Sequence, residues 1–173
     1  GENKYSPKTK LVPRIESVSC WDFYPDPDAI TIDDAEYVIQ RHVYTRSQIR
    51  DLMNRPYFRK EAIRNALNMG PNYEARGYES SLKDRESTSE YDKNRYEILE
   101  FWGTLDTELA LEAGLEMDED MDDMDEVQVN CWVCNGEVIR LVMNPFTPTR
   151  LPYLVCPYEI NPYQFFGVGV PEN

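Results

Sequence analysis

Four segments of the chain carry the apolar pattern of β-strands. Residues 36–44 and 95–103 are rich in β-branched and aromatic side chains, so both are predicted to be strands with at least one buried face. The strongest signal is the pair 127–134 and 137–143, which flanks the dipeptide Asn135-Gly136. Asn-Gly supplies the two positive-φ positions of a type I′ turn, so the sequence predicts a β-hairpin there.

Helical spacing follows the first of these strands. Thr45-Arg46-Ser47-Gln48 has the form of a capping box, and it precedes the apolar set Ile49, Leu52 and Met53. A second helix is predicted from about residue 58 to 69, ended by Gly70-Pro71, with its apolar stripe formed by Ala62, Ile63, Ala66 and Leu67. A third is predicted to run into an acidic tract, with the apolar set Leu105, Leu109, Leu111, Ala113 and Leu115.

The remaining segments are irregular. Residues 11–29 contain three prolines and are predicted to form an ordered loop or an edge strand, and residues 153–156 a short strand. The expected organisation is a flexible arm or tag remnant at 1–12 and one α+β domain at 13–173. Mobile insertions are expected at about 70–94 and 116–126. The sheet is predicted to be mixed or antiparallel, with a hairpin in the C-terminal half and a few short helices.

Composition supports a folded domain. The 173 residues are 41% hydrophobic and include 12 Tyr, 3 Trp and 6 Phe, too many for a disordered chain. No stretch approaches the ~20 apolar residues of a membrane span. The net charge of −14 argues against binding to DNA phosphates or to an anionic membrane. The N-terminus lacks the apolar core of a signal peptide, and the abrupt C-terminus predicts an excised fragment.

The four cysteines are candidates for a metal or redox site. Cys131 and Cys134 form a C-x-x-C motif, but residues i and i+3 of a strand point to opposite faces, so their sulfurs cannot converge on one ion. Cys20, Cys156 and the single histidine, His42, are scattered. We therefore expect reduced structural cysteines in a reducing compartment, and a packed or half-exposed strand residue at His42.

The acidic tract 116–126 has eight carboxylates in eleven residues and invites a calcium interpretation. With Asp118 as position one of an EF-hand loop, Asp120 and Asp122 fit. Asp123, however, stands where Gly is needed, and Val129 where the bidentate Glu belongs. A solvated mobile loop, an amphipathic helical extension and weak, unspecific cation binding remain as alternatives.

No other motif indicates catalysis. The pairs Asp33/Asp34 and Asp26/Asp28 arise by chance in so acidic a chain, and Gly167-Val168-Gly169 lacks the third glycine and the lysine of a phosphate loop. The sequence therefore predicts no catalytic residue, no cofactor and no metal site.

Eight segments follow one another in a distinctive order over about residues 13–171. They are Asp22-Phe23-Tyr24-Pro25-Asp26-Pro27-Asp28-Ala29, Asp34-Ala35-Glu36-Tyr37-Val38-Ile39, the helix from Thr45 to Leu52, Tyr96-Glu97-Ile98-Leu99-Glu100-Phe101-Trp102-Gly103, the hairpin from Trp132 to Arg140, Asn144-Pro145-Phe146, Leu151-Pro152-Tyr153 and Phe165-Phe166-Gly167-Val168-Gly169. This ordered set resembles the portal protein, or head-to-tail connector, of short-tailed double-stranded DNA phages and prophages.

The resemblance implies the wing-like α/β part of a portal subunit, cut before the helices that form the stem. It implies that the protein is not an enzyme but a structural subunit of the ring through which DNA is packaged and ejected. The full-length protein would be a homo-oligomeric ring at the capsid vertex of the virion, assembled in the host cytoplasm. Its partners would be terminase, capsid and tail or adaptor proteins, with DNA passing unbound and no membrane contact. The fragment alone is expected to be a monomer, and the acidic tract is expected to be a variable insertion.

The competing class of protein is an acidic binding or regulatory domain, or an enzyme, that uses this tract for a metal or a basic partner.

Overall fold

Five strands form one antiparallel sheet in the order β1-β2-β3-β4-β5. The computed structural model describes residues 14–74, 94–117 and 124–169. The strands are β1 (Phe23–Pro25), β2 (Tyr37–Thr45), β3 (Arg95–Asp106), β4 (Glu126–Cys134) and β5 (Glu137–Met143). The helices are α1 (Arg46–Leu52), α2 (Lys60–Met69) and α3 (Thr107–Glu112), and a 3₁₀ turn at Cys20–Asp22 precedes β1. The predicted α+β class and the four predicted central strands are confirmed, and β1 is the edge strand expected within residues 11–29.

Local signals determine where these elements begin and end. Thr45 caps α1 with the predicted capping box, in which its hydroxyl accepts from the Gln48 amide and the Gln48 side chain accepts from the Thr45 amide. Asn135 and Gly136 have φ of 52° and 78°, as a type I′ turn requires. Gly70, with φ of 94°, ends α2.

The strand register places helices on both faces of the sheet. His42 lies opposite Ile98, and Glu100 opposite Trp132, so these four side chains share one face. On that face α1 and α2 bury a core formed by Ile49, Leu52, Ile63, Ala66, Leu67, Tyr96, Ile98, Trp132, Cys134 and Ile139. On the opposite face α3 covers a smaller core formed by Ala110, Leu115, Val127, Val129 and Leu141.

After β5 the chain crosses the first face in the direction of β1. The Asn144 amide donates to the Gln128 carbonyl of β4 at 2.9 Å. Further along, Phe146 packs on Trp102 of β3 with ring centroids 6.1 Å apart. Tyr153 then reaches the β1 side of the sheet, where its ring lies 5.1 Å from that of Phe23. We call residues 144–153 the crossing segment.

Two predicted elements differ from the structure. Residues 153–156 form no strand, because Tyr153 packs on Phe23 and the prolines at 152 and 157 limit backbone pairing. The third helix is only six residues long and Gly114, with φ of 82°, follows it. Of its predicted apolar set, Leu105 belongs to β3, and Leu109 and Leu111 are exposed, whereas Thr107 and Ala110 are buried.

The predicted arm at 1–12 lies outside the described residues, as do residues 75–93 and 118–123 of the two predicted insertions. Both insertions have described ends that belong to the fold. Asn72 exchanges hydrogen bonds with the backbone of Glu97, and Tyr73 is buried beside Arg95. Strand β4 begins at Glu126, which is the last residue of the second predicted insertion.

Candidate functional site

The most organised polar cluster of the described residues is centred on Glu100, in the middle of β3. Antiparallel pairing brings His42 of β2 and Asn130 of β4 to either side of it on the same face. Trp102, two residues further along β3, projects from that face as well because side chains alternate along a strand. These four residues form what we call the Glu100 cluster.

Three hydrogen bonds hold the Glu100 carboxylate in place. Its Oε2 accepts from His42 Nε2 at 2.7 Å, and its Oε1 accepts from Trp102 Nε1 at 2.8 Å and Asn130 Nδ2 at 3.0 Å. Because a carboxylate only accepts, His42 Nε2 must carry a proton. Burial raises the pKa of Glu100, but the hydrogen bond and charge of His42 and the other two donors outweigh burial and hold the pKa below its usual value.

Aromatic packing encloses the cluster. The His42 ring stacks on Trp132 at 4.9 Å, and Phe58 packs edge-on against Trp132 at 5.4 Å. The crossing segment covers the other side, where the Tyr153 hydroxyl donates to Gln40 Oε1 at 3.0 Å. Burial and the negative charge of Glu100 both raise the pKa of Tyr153. The Glu100 cluster thus lies between the helical core, which it contacts where His42 stacks on Trp132, and the crossing segment, which it contacts where Trp102 meets Phe146.

Arg41 carries a second polar cluster on the opposite face of the sheet. Its guanidinium lies 2.8 Å from Asp22 Oδ1 and 3.4 Å from Glu97 Oε2, and 5.9 Å from the centre of the Tyr73 ring. An open cleft of about 370 Å³ borders it, lined by Ser17, Val18, Ser19, Asp22, Gln40, Arg41, His42, Val43 and Tyr73. Two carboxylates already hold the guanidinium, so the cleft presents no uncompensated cation to an anionic ligand.

The cysteine geometry agrees with the strand argument. Cys131 packs in the α3 core and Cys134 in the core of the opposite face, so the two sulfurs diverge as predicted. Burial raises the pKa of both thiols, that of Cys134 to about 11. Cys20 and Cys156 are exposed. Within residues 14–74, 94–117 and 124–169, no group of three or more His, Cys, Asp or Glu side chains is placed to hold a metal ion.

Two other sequence candidates, Gly167 and Asp26, serve packing and loop structure. Gly167 lies beside the β-bridge between Glu159 and Val168, where a Cβ atom would clash with the Glu159 carbonyl and lie 2.8 Å from Pro157 Cβ, so close packing explains that glycine. Asp26 accepts from the backbone amides of Asp28 and Glu36, which fixes the loop between β1 and β2. Most of the acidic tract, residues 118–123, lies outside the described residues.

Sequence reasoning missed the role of Glu100 and Asn130. The only local signal is a polar side chain in the middle of each predicted strand, on the face that also carries Ile98 or Trp132. His42 was expected to be a packed or half-exposed strand residue, and the structure confirms this placement. Its partner is 58 positions away, so only the strand register reveals the pair.

The fold places the protein in the class of α+β domains, with helices on both faces of an antiparallel sheet. Its best-formed polar cluster, the Glu100 cluster, is enclosed. A family model described as Phage SU10 portal protein matches residues 3–173. The chain therefore belongs to this family of phage portal proteins, which confirms the resemblance. Comparison with curated proteins gives no match.

Membership of this family indicates the general role of the chain. Portal proteins are structural, ring-forming components at the portal vertex of the phage capsid, and this chain belongs with them. Among the described residues, no helix is both long and apolar enough to cross a lipid bilayer.

Proposed function

We propose that this chain is the wing-like part of a portal subunit, which in the complete protein assembles with other copies into the ring through which phage DNA is packaged and ejected. The observation that carries the proposal is the family match over residues 3–173. The partners would be terminase, capsid and tail or adaptor proteins. Assembly would take place in the host cytoplasm, in an active phage or a prophage.

The polar chemistry of the domain supports a structural role without catalysis. A general base must reach its substrate, yet Glu100 is 8% exposed and three hydrogen bonds hold its carboxylate inside the fold. Arg41, the best-buried cation of the described residues, is held by two carboxylates. Both clusters fasten strands and segments to one another, as a rigid ring component requires.

The charge of the chain supports passage of DNA without specific binding. Tight DNA binding comes from clustered Lys and Arg that neutralise phosphates, whereas this chain carries −14. An acidic surface repels the duplex and lets it slide. The same charge opposes assembly of the isolated chain, so we propose that the 173-residue chain is a monomer and that rings need the complete subunit.

Electron microscopy and light scattering of the complete portal subunit that carries this sequence test the proposal. Closed rings with a central channel support it. A subunit that stays monomeric from about 0.05 to 0.5 M salt, a range over which charge repulsion is increasingly screened, would refute it. Turnover of a substrate by that monomer would support an enzyme instead.

A further inference from the structure

The last described segment exposes an unusual set of apolar side chains. After the crossing segment, residues 154–166 present large hydrophobic groups to solvent, and Leu154 and Tyr163 are each 87% exposed. The exposed set is Leu154, Val155, Tyr158, Ile160, Tyr163 and Phe166. We call residues 154–166 the aromatic segment. So many large exposed apolar groups within thirteen residues of chain point to an interaction surface, and Tyr and Phe are enriched in interfaces.

The aromatic segment is held in place. Phe165 packs on Phe23 of β1 with ring centroids 5.9 Å apart, and Tyr153, immediately before the segment, packs on the same ring at 5.1 Å. The Val168 amide donates to the Glu159 carbonyl at 3.0 Å, and this β-bridge closes the loop between the two residues. The apolar side chains are therefore presented by an anchored segment on the β1 side of the sheet, a pre-organised surface that loses little entropy on binding.

The second relevant surface includes the stretch of chain that borders β5, the other edge strand of the sheet. Phe58 forms a β-bridge with Arg140 of β5, and the Arg59 amide donates to the Ile139 carbonyl at 2.8 Å. The chain before and after this point carries exposed Arg50, Arg55, Lys60 and Arg64, together with Tyr57, which is 73% exposed. In the described ranges no ion pair involves any of these four basic side chains. We call residues 50–64 the basic surface.

Charge distinguishes these two surfaces from the rest of the molecule. The basic surface, residues 50–64, contains five basic and two acidic residues, a net charge of +3, so the rest of a chain with −14 carries −17. Residues 151–169 contain one charged residue, Glu159. Two copies that approach one another are repelled over most of their surfaces. The repulsion is absent where a nearly neutral aromatic surface meets a basic one, and Arg packs favourably on aromatic rings.

The aromatic segment lies near one edge of the sheet and the basic surface borders the other edge, an arrangement that suits a head-to-tail contact between neighbouring subunits. Four strand spacings of about 4.8 Å place the β1 and β5 edges about 19 Å apart. A closed ring needs heterologous contacts, in which one surface of each subunit meets a different surface of the next. We infer that the aromatic segment of one subunit docks on the basic surface of a second copy of this chain. This inference rests on the proposed ring function.

Two substitutions of opposite charge at Tyr163 test the inference in the complete subunit. Tyr163→Lys places a cation against the basic surface, and we expect it to weaken ring assembly about tenfold or more per contact. Tyr163→Glu removes the same ring but places an anion there, so it is expected to assemble better than Tyr163→Lys. General repulsion between acidic chains predicts the reverse order. Adding Arg64→Glu to Tyr163→Lys should restore assembly, and Ile15→Lys, at an 89% exposed side chain elsewhere, should leave it unchanged.

Native cysteines provide a second measurement that does not depend on substitution. Cys156 lies within the aromatic segment and Cys20 outside it, and both are exposed. Alkylation of Cys156, followed by peptide mass spectrometry, should slow at least about tenfold in rings relative to dissociated subunits, with little change at Cys20.

The outcomes separate this inference from the proposed function. If the wild-type subunit forms no ring, the proposed function fails. If rings form, but the Lys and Glu variants assemble alike and Cys156 stays as reactive as Cys20, the ring is upheld and the docking surface is wrong. If the rings protect Cys156 while Arg64→Glu rescues nothing, a surface other than the basic one covers the aromatic segment, and the inference is overturned. Circular dichroism and the melting temperature of each dissociated variant verify its fold.

Discussion

Replacement of Glu100 should destabilise the domain by an amount that depends on which hydrogen bonds the new side chain retains. Glu100→Ala leaves the donors of His42, Trp102 and Asn130 without their shared acceptor in a buried site. Each buried unsatisfied group costs about 1–3 kcal/mol, and partial relaxation brings the expected total to about 3–5 kcal/mol. Total stabilities of domains are about 5–15 kcal/mol, so this is a large fraction of the free energy of unfolding.

Glu100→Gln should cost less. Its carbonyl oxygen can still accept from Trp102 and Asn130, which both donate to Oε1, whereas its amide faces the His42 nitrogen that donated to Oε2. The expected loss is about 1–2 kcal/mol. Glu36→Gln makes the same chemical change at an exposed side chain and should stay within about 0.5 kcal/mol of the wild type.

The difference between the wild type and Glu100→Gln should depend on pH. The pKa of Glu100 is lower in the folded state than its usual value, so its charge stabilises the fold above the unfolded-state pKa. That contribution is lost as the pH falls through the folded-state pKa. Urea denaturation at a series of pH values should therefore show the difference shrinking on acidification. Equal losses for Ala and Gln at neutral pH, or a difference that grows in acid, would refute this account of the cluster.

Three further predictions concern packing, the hairpin and metals. Gly103→Ala should lower the free energy of unfolding by about 1–3 kcal/mol, because the added Cβ would lie 2.5 Å from Tyr37 Cβ. Thermal or urea unfolding measures this loss, and an unchanged midpoint would contradict the close contact between β2 and β3. Asn135→Gly keeps a positive-φ turn but loses the side-chain bonds to the carbonyls that end α2, at 2.8 and 2.9 Å, so we expect about 1–2 kcal/mol less stability, with Asn135→Ala worse still. Elemental analysis should find no stoichiometric zinc, because Cys131 and Cys134 diverge, and calcium should raise Tm no more than a monovalent salt control; one tightly held equivalent of zinc would contradict this.

Signals confined to a few neighbouring residues were sufficient for much of the fold. The capping box at Thr45 and Gln48 positions α1, because both hydrogen bonds join residues three apart. Asn135-Gly136 determines the hairpin through the φ values that these two residues tolerate. The opposite directions of Cys131 and Cys134 follow from strand alternation alone. In each case the physical cause acts within one turn or one strand, so the sequence alone predicts it.

Long-range contacts decided the rest. Residues 153–156 have the composition of a strand, but a strand needs a partner, and Tyr153 instead packs on Phe23, 130 positions earlier in the chain. Leu109 and Leu111 suit a buried helix face, yet the way α3 lies on the sheet buries Thr107 and Ala110 instead. The Glu100 cluster exists only because the register of β2, β3 and β4 aligns three polar side chains. Hydrophobicity and local spacing do not encode which distant residues meet, since that depends on how all the elements pack together, and only the tertiary structure determines it.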